Sequence, residues 1–289
     1  MISCAISLTG AKLDQKRSHG QADLNGNAQC ESMLGPVMRQ AERLSSILEM
    51  LASEGALDVG GLADQLRVSA ATVRRDLHLL EDQRMLTRTH GGAVANDVLY
   101  ELPLRYKAAR HQAEKLRIAS VAAMRVTDGA VVGLTGGTTT TEVARSILDR
   151  RGITVVTNAL NIAGELAIRA DLKLVVTGGT ARPESYELVG PVAEQALEGL
   201  NLDVAFIGVD GITVAAGLTT HHEVEAHTNR TLIDRARHVV VVTDSSKLGR
   251  IAFAQICPVG LIDELITDGG AGPSAIRELT DAGVAVTVA

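Results

Sequence analysis

The segment from Gly136 to Thr140 has the residue types of a phosphate-binding loop, because two glycines precede three threonines. The glycines let the backbone curl so that several N–H groups face one point, and the threonine hydroxyls add further donors. A helix is predicted over residues 142–151, and its N-terminus also attracts an anion. The patterns G-x-x-x-x-G-K and G-x-G-x-x-G are missing from the loop, which argues against a Walker loop and a dinucleotide site.

Small polar residues also follow the other apolar runs that are predicted to be strands. The carboxyl ends of parallel strands lie at one edge of an open α/β sheet, where ligands bind, so these residues predict a polar crevice. Taken singly they could be ordinary turns, and Lys247 is either a second cation at this edge or a solvated turn lysine. The predicted effector-binding residues are Gly136, Gly137, Thr138, Thr139, Thr140, Asn158, Gly178, Gly179, Asp210, Gly211 and Lys247.

A pair of arginines lies on the outer face of a short helix predicted over residues 70–82. Ser69 is a suitable N-cap for it, and apolar residues recur at helical spacing on the inner face. The outer face begins with a small residue and continues with Arg74, Arg75 and His78. A helix that enters the major groove needs both features, because small residues allow close approach and arginine pairs with phosphate or guanine. The alternative is a solvated arginine face on an ordinary surface helix.

The neighbouring patterns place this helix in a winged helix-turn-helix domain. Helices are predicted over residues 41–53 and 58–66, and residues 85–92 predict a two-stranded wing in which Arg88 and His90 share one face. Residues 38–92 hold seven arginines and eight acidic residues, so positive charge must be concentrated on one face to bind DNA. The predicted DNA-binding residues are Ser69, Ala71, Thr72, Arg74, Arg75, His78, Arg88 and His90.

From residue 128 onward, apolar runs alternate with helical patterns. This alternation predicts an α/β domain with a mostly parallel sheet and helices on both faces. Strands are predicted at 130–134, 153–157, 172–177, 204–209, 239–243, 261–267 and 284–288, and helices at 142–151, 162–168, 191–200, 224–236 and 274–282.

The pattern predicts four segments along the chain. Residues 1–37 are polar and show no period, so we expect a disordered N-terminal extension. Residues 38–95 form the predicted winged helix-turn-helix domain, residues 96–127 form a linker and a connecting helix over 105–125, and residues 128–289 form the α/β domain.

Composition narrows the class of protein. The formal net charge of −6 argues against a chain coated in nucleic acid, but it allows a local DNA-binding face. The three cysteines, at 4, 30 and 257, have neither metal-ligand spacing nor a disulfide framework, so we expect reduced thiols, no metal and no cofactor. No apolar run reaches the length of a membrane span, and residues 1–13 lack the pattern of a secretory signal. We therefore expect a cytoplasmic protein that does not contact a membrane.

The motifs resemble those of the DeoR-type transcriptional regulators over about residues 40–268. In the first domain the resemblance rests on Thr72-Val73-Arg74-Arg75-Asp76-Leu77, Leu80-Glu81 and Arg88-Thr89-His90-Gly91-Gly92-Ala93. In the second it rests on Gly137-Thr138-Thr139-Thr140, Val155-Val156-Thr157-Asn158, Thr177-Gly178-Gly179, Leu188-Val189-Gly190-Pro191, Ala205 to Gly211, Gly217 to Thr220, Glu225-Ala226 and Asp244-Ser245-Ser246-Lys247. The resemblance implies a winged helix-turn-helix followed by a sensor domain with a sheet of the ribose-5-phosphate isomerase and CoA-transferase type. It also implies a phosphorylated sugar or polyol as the effector.

Two positions depart from the family pattern. Gly136 stands where the family often has an acidic residue or a serine before Gly-Thr-Thr-Thr, and Asn229-Arg230 stands where it commonly has Lys-Arg. The second departure implies that a cationic contact is lost or moved to Arg230. Arg105 and Lys115 match basic positions of the family's connecting helix, and we expect both to serve packing or an oligomer contact ahead of the ligand.

An enzyme is the alternative class, namely a sugar-phosphate isomerase fused to a DNA-binding domain. Such an enzyme needs a base beside the carbonyl and a group that stabilises the enediolate. The acidic pair and the lysine loop of the similar isomerases are missing after Asp210-Gly211. The carboxylates that remain, Glu223 and Glu225, lie at the start of a helix, where acidic residues commonly interact with the helix dipole. We expect no catalytic residues. A scaffold that binds DNA and senses no ligand is disfavoured, because so many glycines at one edge cost chain entropy.

The sequence therefore predicts a transcriptional repressor of carbohydrate metabolism genes. Its partners are a double-stranded DNA operator, a phosphorylated sugar or polyol, and further copies of the chain in a dimer or tetramer, because one winged helix contacts too little DNA for a specific site.

Overall fold

The computed structural model describes residues 38–95 and 102–289. The prediction of disorder for residues 1–37 therefore lies outside the described residues, as does the linker at 96–101. None of the described helices is both long enough and apolar enough to cross a membrane.

The first domain contains three helices and a small antiparallel sheet. The helices are α1 (Gln40–Glu54), α2 (Val59–Leu66) and α3 (Ala70–Asp82), and the strands are β1 (Ala56–Asp58), β2 (Leu86–Arg88) and β3 (Gly92–Ala95) in the order β1-β3-β2. The predicted Ser69 cap is confirmed, since its side chain accepts from the backbone N–H of Thr72. Helix α2 is capped in the same way by Asp58, whose side chain accepts from the backbone N–H of Gly61.

The wing differs from its prediction in two respects. Strand β1 was missed, because three residues between a helix end and a helix cap give no readable alternation. Strand β2 ends at Arg88, so His90 lies in the turn, and the prediction that strand alternation puts it on one face with Arg88 is wrong. Gly92 begins β3 beside β1, and a Cβ there would collide with the carbonyl oxygen of Leu57; only glycine fits this close pairing.

The predicted connecting helix is broken in two. The pieces are α4 (Leu104–Lys107) and α5 (Gln112–Ala123), and between them His111 adopts a left-handed conformation with φ 48°. A residue with a Cβ does not continue a right-handed helix in that conformation. The break turns residues 107–111 toward the carboxyl edge of the second domain's sheet.

The second domain is built on a seven-stranded parallel sheet, as predicted. Its strands run in the order β15 (Ala285–Val288), β14 (Glu264–Thr267), β12 (Val239–Val242), β9 (Val204–Ile207), β4 (Val131–Leu134), β5 (Thr154–Thr157) and β6 (Lys173–Val176). Two small antiparallel sheets, which were not predicted, pair β7 (Thr180–Ala181) with β8 (Leu188–Val189), and β10 (Gly211–Thr213) with β11 (Gly217–Thr220) and β13 (Ala254–Cys257).

Helices cover both faces of the large sheet. They are α6 (Thr138–Ser146), α7 (Leu160–Leu166), α8 (Pro191–Glu198), α9 (Glu223–Asp234) and α10 (Pro273–Asp281). One apolar core joins α5, α6 and α7 to one face of the sheet, and the other joins α8, α9, α10 and the β10-β11-β13 sheet to the opposite face. Helix α6 begins at Thr138, four residues before its predicted start at 142, so the three threonines form its first turn.

A buried ion pair fixes α3 against α1. The carboxylate of Asp76 is 1% exposed and accepts from Arg43 Nε at 2.6 Å and from Arg43 Nη2 at 3.1 Å. Asp76 lies on the buried side of α3 with Val73 and Leu77, so its negative charge is not on the outer face of the helix.

The Asp76→Ala variant should lower the free energy of unfolding of the DNA-binding domain by about 3–5 kcal/mol, because it removes the carboxylate that accepts two hydrogen bonds from the buried Arg43 guanidinium. Urea titration followed by circular dichroism measures the loss. Asp82→Ala is the matched control, since that carboxylate on the same helix is 62% exposed and should change stability by less than about 0.5 kcal/mol. Equal effects of the two substitutions would contradict a structural role for the buried pair.

Candidate effector pocket and DNA-binding surface

A pocket lies at the carboxyl edge of the large sheet, where β4, β9 and β12 end. Its lining combines the loop before α6, the connecting segment and side chains of α9. The lining residues that carry polar groups are Lys107, Arg110, His111, Lys115, Gly136, Gly137, Thr138, Thr139, Ser185, Glu187, Gly208, Asp210, Thr220, Glu225, Asn229, Thr243, Asp244, Ser246 and Lys247.

The loop before α6 has the geometry of an anion site. Gly137 caps the helix with φ 136°, and the N–H groups of the first helical turn have no partner inside the helix. Thr138 and Thr139 line the pocket. Thr140 does not, because its hydroxyl donates to the Gly137 carbonyl at 3.0 Å. The loop therefore offers backbone donors and two threonines, one fewer than the sequence predicts.

Four cationic side chains surround this loop: Lys107, Arg110, Lys115 and Lys247. Only Lys247 was predicted for the site. The other three come from the connecting segment, and the break at His111 is what directs them here. Lys115 is 3% exposed and donates to the carbonyl of Lys107 at 2.7 Å. The structure therefore puts Lys115 at the pocket, whereas the sequence favoured packing or an oligomer contact.

Burial controls the charge of these lysines. Burial lowers the pKa of Lys115 to about 8, the charge of Asp244 opposes the shift, and the charges of Lys247 and Arg110 add to it. Burial also lowers the pKa of Lys247, while the charge of Asp210 opposes that change. A desolvated ammonium near other cations gains most from an added anion, so the pocket suits a phosphate.

Asp210 is the carboxylate that balances the cations. Its Oδ1 accepts from Lys107 Nζ at 3.0 Å and lies 3.5 Å from Lys247 Nζ. Burial opposes ionisation of Asp210, but the charges of the two lysines outweigh burial and hold its pKa below the usual range. An incoming phosphate competes with Asp210 for the same two ammonium groups.

The wall opposite the cations is built from buried acids and amides. The Glu187 carboxyl accepts from Asn229 Nδ2 at 3.3 Å, and Glu225 accepts from the Thr220 hydroxyl at 2.6 Å and pairs with Arg182. A Cβ on Gly136 would collide with the Glu187 side chain, which explains why glycine stands at this position. Sequence analysis missed Glu187 because nothing in its local pattern marks it as facing a ligand.

Several predicted effector residues lie outside the pocket lining. Asn158 is buried behind it and donates to Asn229 Oδ1 at 3.2 Å. Gly178 and Gly179 follow β6 and lie beside α8, since a Cβ on Gly179 would meet Ala193 and β8. Gly211 begins β10, where the backbone of Arg250 closes off space for a side chain. The sheet edge is therefore wider than the pocket, and the structure does not bring these four residues into the lining that Gly136 to Thr139 share with the cations.

Arg230 does not replace the cation that the family carries near this position. Its Nε donates to Asp234 at 2.8 Å on the outer side of α9, and it is not among the residues that line this pocket. Asn229 lines the pocket at the position where the family commonly has a cation, so α9 supplies no positive charge there. Lys107 and Lys115 of the connecting segment supply positive charge to the pocket instead.

The outer face of α3 presents Ala71, Arg74 and Arg75 to solvent. Within the described residues neither arginine has an acidic partner. Ser69 and Thr72 lie at the helix start, where their hydroxyl oxygens are 2.9 Å apart. The guanidinium groups of Arg74 and Arg75 are therefore available to an anionic partner, and Ala71 lies one helical turn before them.

The acidic side chain of Glu81 lies close to two of the other predicted DNA-contacting residues. His78 Nδ1 lies 3.9 Å from Glu81, and Arg88 Nη1 lies 3.5 Å from the same carboxylate. His90 is exposed in the wing turn. Positive charge available to DNA is therefore concentrated at Arg74 and Arg75 more than at the wing.

No group of three or more metal-ligating side chains occurs among residues 38–95 and 102–289. Burial raises the pKa of the Cys257 thiol to about 11, so it is protonated at neutral pH and unsuited to nucleophilic attack.

Comparisons with known proteins agree with this two-part geometry. Residues 43–98 match the DeoR-like helix-turn-helix domain, and residues 110–269 match the DeoR C terminal sensor domain. The HTH-type transcriptional regulator GlpR of Haloferax volcanii is 40% identical over 250 residues, which cover 86% of this chain and 98% of that protein. The glycerol-3-phosphate regulon repressor of Escherichia coli strain K12 is 31% identical over 244 residues, covering 84% and 97%. Among solved structures, ribose 5-phosphate isomerase A of Methanocaldococcus jannaschii aligns with 46% of this chain and 52% of that one, at 22% identity and a TM-score of 0.35.

Anion binding to the pocket should weaken as the pH rises through about 8, because Lys115 then loses its proton in the free protein. Calorimetric titration with sulfate, whose own charge is constant in this range, should show about a tenfold loss of affinity between pH 7 and pH 9.5, the size of one charge-assisted hydrogen bond. Lys115→Arg keeps its charge in this range and should flatten the profile. An unchanged profile in the arginine variant would show that another group titrates.

Proposed function

The chain belongs to the DeoR family of transcriptional regulators, and from that premise we propose that it represses carbohydrate-metabolism genes and leaves its operator when a phosphorylated sugar or polyol fills the pocket. The proposal concerns the repression, the effector and the residues that contact each partner. Support comes from the anion-binding geometry of the pocket and from its connection to the DNA-binding domain.

The observation that carries the proposal is that one short segment touches both domains. Lys107 of α4 reaches Asp210 in the pocket. On the same segment, the Tyr106 hydroxyl bonds to Gln83 just after α3, and Arg110 pairs with Glu49 of α1. A displacement of Lys107 of even one or two ångströms therefore acts on contacts to both α1 and α3.

The proposed response is a competition for Lys107. Without effector, Lys107 is held by Asp210, and α4 lies against the end of α3. A phosphate on the α6 loop offers Lys107 and Lys247 a second anion, which weakens their hold on Asp210. The ligand shifts the population toward arrangements in which it binds better, and by linkage it lowers operator affinity if those arrangements fit DNA less well.

The proposed DNA contacts follow from the exposed face of α3. Arg74 and Arg75 contact the bases or phosphates of the major groove, where Ala71 allows close approach. Arg88 and His90 of the wing contact the backbone or the minor groove. Two copies of the chain bind two half-sites, since a single winged helix buries too little surface for a specific complex.

Arg75→Ala should lower operator affinity by about 1–3 kcal/mol, the cost of removing an arginine that contacts base or phosphate. Fluorescence anisotropy at fixed salt, on DNA from upstream of the protein's own gene, measures the change. Arg277→Ala removes the same charge from exposed helix α10 and should leave affinity nearly unchanged. If both variants lose affinity alike, the effect is one of net charge and α3 is not the reading helix.

Lys107→Met should mimic the effector. Operator affinity without ligand should fall about tenfold, within the usual range of allosteric coupling, and added effector should cause little further release. The same anisotropy titration with and without a panel of sugar and polyol phosphates measures both effects. Lys173→Met on the edge strand β6 is the control and should respond like the wild type. A Lys107→Met protein that binds and is released normally would refute the competition.

A further inference from the structure

The acid and amide wall of the pocket has groups that neither DNA binding nor phosphate binding uses. Glu187 and Asn229 are each 2% exposed, and Ser185 is 8% exposed. All three line the same pocket as the α6 loop. Buried polar groups of this kind are kept when they are hydrogen-bonded to something, so their partners in the pocket are informative.

Ser185 gives an independent sign that a ligand completes the wall. Its buried hydroxyl has no hydrogen-bond partner among the described residues, although it lines the pocket. A buried hydroxyl without a partner costs free energy. A ligand group that both donates and accepts would satisfy it.

The charges of the wall favour a neutral ligand group. Asp210 is balanced by Lys107 and Lys247, and Glu225 is balanced by Arg182. Burial and the nearby charge of Glu225 raise the pKa of Glu187 well above its usual range, which favours the neutral form of this carboxyl. With Glu187 in its neutral form, the wall has no unbalanced negative charge that would attract an ammonium group.

We propose that Ser185, Glu187 and Asn229 bind the hydroxyl groups of the effector and make the pocket selective for hydroxylated phosphate esters over other phosphates. The inference rests on the proposed function, since it assumes that a phosphate lies on the α6 loop. Gly136 of that loop is in contact with Glu187, so the hydroxyls that are read lie on carbons close to the phosphate ester.

The test compares phosphates of equal length with and without hydroxyls. Calorimetric titration of the full chain with glycerol 3-phosphate and propyl phosphate, and with sorbitol 6-phosphate and hexyl phosphate, should give a preference of about 100-fold for the hydroxylated member of at least one pair. A site built to bond hydroxyls rejects the analogue that lacks them, because its buried groups are then left without partners.

Ser185→Ala is the most informative variant, because it removes a hydroxyl that has no protein partner and should leave the thermal unfolding temperature unchanged or raised. It should reduce the preference about 2- to 10-fold, the worth of one neutral hydrogen bond, with alkyl phosphate affinity unchanged. Ser45→Ala is the matched control, since Ser45 has an equally buried and unpartnered hydroxyl in α1, away from the pocket. It should leave the preference unchanged.

Asn229→Leu should remove most of the preference while alkyl phosphates still bind. The inference is overturned if alkyl phosphates bind as tightly as their hydroxylated partners, if Ser185→Ala and Asn229→Leu both keep the full preference, or if 2-amino-sugar phosphates bind far better than the matching sugar phosphates. These outcomes differ from failure of the proposed function, in which neither inorganic phosphate nor any ester in the panel binds or releases DNA.

Discussion

The pocket depends on the ion pair between Lys107 and Asp210. Lys107 is the last residue of α4, and the break between α4 and α5 follows at His111. The left-handed φ of 48° at His111 costs about 1 kcal/mol or more for a residue with a side chain. Two contacts hold this arrangement in place, namely the Lys107–Asp210 pair at 3.0 Å and the bond from Lys115 to the Lys107 carbonyl at 2.7 Å. A ligand that weakens the first contact acts directly on a strained segment.

Electrostatics inside the pocket differ from those of the whole chain. The protein has a formal net charge of −6, yet four cationic side chains line the pocket around the loop before α6. Asp210 pairs with Lys107, and Arg110 pairs with Glu49. Because the site is buried, these charges are screened less than surface charges are. The local field therefore attracts an anion to this pocket although the chain as a whole is negative.

The helices and strands could be predicted because their sequence patterns are local. The site was harder to predict because residues far apart in the sequence form it. Helix α3 and its Ser69 cap were predicted correctly because periodicity and capping are local, and the seven parallel strands were predicted because each is a short apolar run. The connecting helix was predicted as continuous because no glycine or proline marks the break at His111. The break is imposed by contacts to residues about one hundred positions away, such as Asp210.

The same limit explains which site residues could be predicted. Gly137 and Thr139 were found because a Gly-Thr loop before a helix has a meaning by itself. Glu187 and Ser185 lie in an irregular turn between β7 and β8, and their role becomes visible only when that turn packs against Gly136. Gly178 and Gly179 were predicted for the site because they follow a strand end as a ligand loop does, and in the fold a Cβ on Gly179 would meet Ala193 of the neighbouring helix α8.

Recognition and response share one hydrogen-bonded network in the proposed function. The Thr220 hydroxyl lies 2.6 Å from Glu225 and 3.2 Å from Asp210 Oδ2, and it can donate to only one of them at a time. A ligand hydroxyl that engages the Glu225 side frees the Thr220 proton for Asp210, and Asp210 then needs Lys107 less. The phosphate weakens the Lys107–Asp210 pair by offering Lys107 a second anion, and the ligand hydroxyls weaken the same pair by giving Asp210 a second donor. A phosphate without hydroxyls would therefore bind the loop yet move α4 less, so that occupancy and release of DNA become separable quantities.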